Sequence, residues 1–347
     1  MVEKKYFKFL DVLNVIAMVS VVTMHVNVSF WNFANLPYWR VATFIETTCY
    51  WAVPVFFMIS GATLIEYRKK YSTKIYAQKR IVKTVVPFLF WNMFGLVYQI
   101  LLHKQSISIF QPLRLINGIF NNGGNQVYWF FLPLFAVYMA IPVLSIIPDQ
   151  YKKKIYEYMV AIAFLTISVL PVIFKILGGN FPEMLKTPVS SGYILYILLG
   201  YLATHDFHFS VKQRVAIYIL GILGWLARFS TVLDWSIRDN EINNTMGGYL
   251  NFPTVFYAFA VFTFVQYEVS NMKWYKKINT NLLKMVSGAS FGIYLIHIYF
   301  VEMLPQIFNF DYRSLFWRTF GVLGVYLICL IIVLIIKKIP LLRKLVP

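Results

Sequence analysis

Two histidines set inside apolar sequence are the residues best suited to chemistry in this chain. His25 lies in VVTMHVNVSF and His297 in SFGIYLIHIYF. Histidine titrates near neutrality and is the most frequent general base. An ionisable group inside a membrane span costs about 2.5–3.5 kcal/mol on insertion scales, so each one is a functional candidate. Asp11, Asn14 and Met18 fall on the stripe of His25 at the helical turn of about 100° per residue. Asn14 and His25 would stand about 16 Å apart along that helix, too far to touch and suited to different ends of one elongated ligand. Ser290, Tyr294 and His297 recur at helical spacing on one face of a second helix. For both histidines two roles stand side by side: a general base, or a neutral ring that bonds a neighbouring helix. Glu302 lies off that face, where a solvated interfacial carboxylate is ordinary.

The remaining polar features allow more than one reading. Lys79, Arg80 and Lys83 precede the third apolar run; they suit the phosphates of a cytoplasmic cofactor, but also lipid headgroups or the charge asymmetry of membrane proteins. His205 and His208, in HDFH, have no cysteine or carboxylate pattern of a metal site and read as a solvated loop; no metal is expected. The polar stretch at 121–126 (NNGGNQ) precedes Tyr128 and Trp129, a setting for sugar recognition or simply for interfacial anchoring. Cys49 and Cys329 fall within predicted helices and suggest neither a disulfide framework nor a metal cluster. No nucleophile elbow, Walker A loop or dinucleotide fingerprint is present.

The elements that must hold these residues follow from composition. Of 347 residues 59% are hydrophobic and only 13% charged, about half the charged fraction of a typical soluble domain. With a mean hydropathy of +0.64, a soluble globular enzyme is excluded. Ten segments approach the roughly 20 apolar residues of a span, near 9–31, 43–65, 84–102, 127–147, 155–177, 190–204, 214–233, 251–270, 285–306 and 315–336. The sixth is short, and the seventh contains Arg228. Backbone groups cannot remain unpaired in lipid and no barrel-like alternation recurs, so the expected fold is an all-α polytopic bundle of about ten transmembrane helices. The N-terminal run is of span length and lacks a cleavage site, and reads as a retained first helix. The chain reads as a single integral-membrane domain, residues 1–347, with no separate soluble domain.

The net charge of +18 raises nucleic-acid binding, but the positions of the charges remove the need for it. With both termini cytoplasmic, 23 of the 32 lysines and arginines fall on the inner side, clustered at 4–8, 68–83, 152–154, 212–214, 273–284 and 337–344. That is the positive-inside pattern.

Five stretches, in order, resemble acyltransferase family 3, a family of integral-membrane acyltransferases. FLDVLNVIAMVSVVTMHV opens the likeness. VPVFFMISGATL (53–64) is similar to the family's second-helix signature around Phe57, Ser60 and Gly61, and AQKRIVKTVVPFLFW (77–91) to its basic-then-proline third helix. VYWFFLPLFAVYMAIPVL (127–144) follows the family's Trp, Tyr and Pro spacing, and SFGIYLIH (290–297) its late Tyr–His signature. The resemblance covers nearly the whole chain. It implies an enzyme of the bacterial plasma membrane that moves an acyl group, usually acetyl, from cytoplasmic acyl-CoA to a surface glycan or lipid-linked saccharide. His25 would correspond to the family's first-helix histidine. Asn14 stands where the family commonly has arginine, and Phe135 where many members carry a carboxylate. In these respects the chain resembles the branch of staphylococcal-type adhesin export proteins and enterobacterial-antigen acetyltransferases.

On this expectation His25 is the general base. Lys79, Arg80 and Lys83 hold the donor phosphates. Asn14, Ser60, Tyr294 and His297 support the polar or acceptor site. Two rival readings are a polysaccharide exporter of the same family, with the polar stripe lining a path, and a sensory or scaffold protein that retains the motifs without catalysis.

Overall fold

The computed structural model describes residues 6–103, 125–186 and 192–347. Lys4 and Lys5, the loop residues 121–124 and the first two residues of the sixth predicted span lie outside the described residues. Among the described residues ten apolar helical segments follow one another, and no strand occurs. They are α1 (Lys8–Val26), α2 (Pro37–Lys69), α3 (Thr73–Ile100), α4 (Gln126–Leu144), α5 (Asp149–Ile176), α6 (Ile194–His205), α7 (Val211–Asp239), α8 (Phe252–Asn271), α9 (Thr280–Phe308) and α10 (Trp317–Lys338). Nine are long and apolar enough to cross a membrane, while α6 has only 12 residues. The protein is therefore an all-α, multi-pass membrane bundle.

Proline sets the irregular points of the long helices. Pro54 has no N–H to offer the carbonyl of Tyr50, and α2 opens at Tyr50–Trp51 between Pro37–Cys49 and Ala52–Leu64. In α3 a π-helical turn, Ile81–Val85, lies just ahead of Pro87. A proline ring collides with the carbonyl four residues back, here that of Lys83, and the widened turn relieves the collision. The same device recurs in α5, where a π turn at Phe164–Val169 precedes Pro171. Because α3 begins at Thr73, the basic residues 79–83 lie on the helix itself and not on a loop ahead of it.

The first helix is central. α1 packs against both halves of α2 and against α8, α9 and α10. By contrast, α7 faces outward with Ile219, Ile222, Leu223 and Leu226 exposed, the surface a lipid-contacting helix should show. Without a hydrophobic force between helices in lipid, close association depends on small residues. The tightest crossing joins α2 and α6. A Cβ added at Gly61 would collide with the carbonyl of Ile197, and one at Gly200 with that of Met58.

Two polar clips fix α1 against α9. Asn14 Nδ2 donates to the carbonyl and hydroxyl oxygens of Ser287 at 2.8 and 2.9 Å, and the Ser287 hydroxyl donates to Asp11 Oδ1 at 2.6 Å. Eleven residues further along α1 and ten along α9, the rings of His25 and His297 meet. The two helices therefore run in the same direction, and the first clip sets the register of the second.

Candidate active site

His25 Nδ1 and His297 Nε2 are 2.7 Å apart. The two rings were separate candidates in the sequence; the parallel packing of α1 and α9 makes them a pair. Their protonation follows from the surrounding groups. His297 Nδ1 lies 2.7 Å from the Tyr294 carbonyl and 3.2 Å from that of Ile293. Carbonyls only accept, so Nδ1 carries the proton, and in a neutral ring Nε2 is then an acceptor. His25 must donate to it through Nδ1–H. The unprotonated nitrogen of His25 is accordingly Nε2, which makes no hydrogen bond among the described residues. A base whose tautomer is fixed by a partner on its other nitrogen is the arrangement general-base catalysis requires.

Two cavities reach His25. The larger, of about 480 Å³, runs along the α1 stripe from His25 past Met18 to Asn14 and on to Arg80, Lys83 and Lys337. Its walls are mostly apolar, with Ser60, Tyr138 and Ser290 among the polar lining groups. The smaller, of about 270 Å³, also has His25 in its wall and is lined by Trp31, Glu46, Tyr50, Trp129 and Tyr249. His25, Met24, Trp129 and Tyr249 form part of both. Such volumes are those of small-molecule sites. One chamber thus ends in fixed cations, the other in aromatic rings and a carboxylate, and the unprotonated imidazole nitrogen belongs to the residue between them.

The structure sorts the residues singled out in the sequence. Asn14, Ser60, Arg80, Lys83 and Tyr294 line the larger cavity together with His25. His297 does not; it is fully buried behind His25 and reaches the cavity only through it. Lys79 turns away and places its ammonium 3.9 Å over the Tyr71 ring. Asn14 is committed to Ser287, and the Tyr294 hydroxyl donates to the Val127 carbonyl. Ser60 donates to Phe56 O at 3.0 Å, within its own helix. Ser290 Oγ is buried on the cavity wall without a hydrogen-bond partner. Glu302 pairs with Tyr98. His205 is not a loop residue. It ends α6, lies 2.9 Å from the Ala62 carbonyl and stacks on Tyr201. His208 is exposed. Among the described residues no three His, Cys, Asp or Glu side chains converge as metal ligands.

Three polar residues near the site were not singled out as candidates in the sequence. Lys337, counted there only as a charge at the end of α10, joins Arg80 and Lys83 at the cavity wall. Glu46 is 2% exposed and lines the smaller cavity. Arg228 is buried, donates to Thr47 Oγ1 at 2.7 Å and to the Gly247 carbonyl at 3.2 Å, and lies 3.6 Å over the Tyr50 ring. Those partners let α7 continue through Arg228 to Asp239 instead of ending near 233. Glu46 and Arg228 carry the signal that singled out His25, an ionisable group inside a span.

A family model described as an acyltransferase domain matches residues 7–336. The chain belongs to acyltransferase family 3. It is a membrane enzyme that transfers acyl groups. The chain matches no curated protein and no solved structure. The match extends from just before α1 into the last turn of α10, so this acyltransferase has both histidines, Arg80, Lys83 and Glu46 inside the family domain, with Lys337 one residue beyond it.

Proposed function

We propose that the protein is an O-acyltransferase that moves an acyl group, acetyl in the simplest case, from cytoplasmic acyl-CoA to a hydroxyl of a cell-surface or cell-wall glycan. The observation that supports this most is the position of His25 between two chambers of opposite character. A coenzyme A thioester has phosphates at one end and the reactive carbonyl at the other. Arg80, Lys83 and Lys337 suit the phosphates, and the apolar passage to His25 suits the arm. The roughly 16 Å between Asn14 and His25 is a span that an extended arm covers and a compact ligand does not.

In this reading His25 Nε2 takes the proton of the acceptor hydroxyl as its oxygen attacks the thioester carbonyl. The C–O bond forms, the C–S bond breaks, and the departing thiolate regains a proton from His25. The imidazolium formed in between keeps Nδ1–H on His297 Nε2, so His297 orients the base and spreads its charge. A positioned general base supplies about 10²–10⁴-fold in rate, and holding donor and acceptor on either side of it contributes through orientation. The cation-lined end faces the cytoplasm of a bacterial cell, as do both termini, and the bilayer is the protein's permanent partner.

Purified protein in vesicles, given labelled acetyl-CoA and cell-wall glycan, is expected to yield an alkali-labile labelled ester. No labelled ester, together with movement of glycan into the vesicles in the absence of donor, would support the exporter instead.

A further inference from the structure

Glu46 is a buried carboxylate with no function in the transfer described above. Its Oε2 has no hydrogen-bond partner, and among the described residues no salt bridge joins it to Arg228. An unpartnered carboxylate oxygen is costly in a protein interior unless a ligand satisfies it. Glu46 lines the 270 Å³ chamber beside His25, where the rings of Tyr50 and Tyr249 stack at 4.0 Å and those of Trp129 and Tyr249 at 5.3 Å. Trp31 lines this chamber as well and is 54% exposed. It also lines a further, more open cavity of about 540 Å³ with Phe33, Asn35, Asn240 and Glu241. No lysine or arginine lines either cavity among the described residues.

We infer that these two cavities form one extended acceptor site for an uncharged polysaccharide, with Glu46 binding the sugar that is acylated and Trp31 carrying the chain outward to Asn240 and Glu241. This rests on the acyl-transfer reading for the identity of the reacting hydroxyl. The exposed Trp31 ring suits the C–H face of a sugar ring, the mutually stacked Tyr50, Tyr249 and Trp129 wall the inner chamber, and carboxylate and amide oxygens suit sugar hydroxyl donors. Glu241 at the open cavity, with no lysine or arginine in its lining among the described residues, disfavours an anionic chain. Glu46 accepts hydrogen bonds from a sugar hydroxyl beside the one that faces His25 Nε2, which selects the ring and its orientation. The stack at Trp31 gives preference for a chain over a single sugar.

The test is calorimetric binding to the full-length protein in detergent, with neutral tetramers of glucose, galactose and N-acetylglucosamine, their monomers, and a galacturonate tetramer as probes. One neutral tetramer is expected to bind at least about tenfold tighter than its monomer and than the uronate, a factor that one well-placed interaction supplies. Glu46→Gln, which keeps shape and replaces one acceptor oxygen with an N–H donor, is expected to weaken monomer and tetramer alike. Trp31→Ala is expected to weaken the tetramer far more than the monomer and so abolish its advantage, while Trp31→Phe retains it. Acetyl-CoA binding, measured on the same samples, reports that each variant is folded. If Glu46→Gln does not fold, the exposed Trp31 carries the test alone. Equal binding of uronate, binding of no neutral tetramer, or tetramer preference unchanged in Trp31→Ala overturns the inference. Because binding is read and not transfer, a wild-type protein that binds the tetramer but forms no ester contradicts the acyl-transfer reading only.

Discussion

A histidine serves as a base only while one ring nitrogen is kept bare and aimed at the proton to be removed. Here the Tyr294 carbonyl fixes the proton of His297, His297 fixes that of His25, and the bare nitrogen is left on the residue at the meeting of the cavities. His297→Ala would remove the second member of this chain. It is expected to lower kcat about 10–100-fold, part of what a general base supplies, with the KM for acyl-CoA unchanged. Glutamine at 297 has an amide oxygen to accept from His25 and an amide N–H to donate to Tyr294, so His297→Gln is expected to recover much of that loss. Steady-state kinetics on the two variants separate the positioning role from a simple packing defect, which would lower both alike. Both histidines were legible in the sequence because each interrupts an apolar run. Their contact was not, since nothing in either helix alone states which neighbour it has. The pair depends on a register set ten or eleven residues away.

That register belongs to the elements. Asn14 holds α1 to α9 through Ser287, and interhelical hydrogen bonds in membranes average about 0.6 kcal/mol with a maximum near 1.7. Asn14→Ala is expected to destabilise the bundle by about 1 kcal/mol in that range, read as a modest fall in thermal midpoint, and to lower kcat further because the histidines lose alignment. The crossing of α2 and α6 is less forgiving. Gly61→Ala or Gly200→Ala places a methyl against backbone carbonyl that cannot move aside, and overpacking typically costs about 1–3 kcal/mol. A larger fall in thermal midpoint than for Asn14→Ala is the expected outcome. On α3 Arg80, just ahead of the π turn, and Lys83, within it, reach the cavity while Lys79 lies on Tyr71. Arg80→Ala is therefore expected to raise the KM for acyl-CoA about tenfold, the worth of one charge-assisted contact, and Lys79→Ala to leave it unchanged. Hydropathy alone located all ten segments, because burial in lipid is a property of composition. It did not locate the break at Tyr50–Trp51, the start of α3 at Thr73 or the passage of α7 through Arg228, because those depend on proline sterics and on partners from other helices.

At the scale of the whole molecule, the features combine into a sided machine. Basic residues gather where α3 and α10 bring Arg80, Lys83 and Lys337 together, and aromatic and acidic residues gather beyond the end of α1. A tag at either terminus is expected to react with an impermeant reagent only after the membrane is opened, as the distribution of 23 among 32 basic residues implies. Reaction in intact cells would invert the direction of transfer. The central claim is that His25 is the base between donor and acceptor, and it is tested most directly by the rate of acetyl transfer from labelled acetyl-CoA to glycan in vesicles holding wild type or His25→Ala. The expected result is ester formation by the wild type and a fall of at least about 10²-fold in the variant, with acetyl-CoA binding retained. Transfer by His25→Ala at the wild-type rate would contradict it.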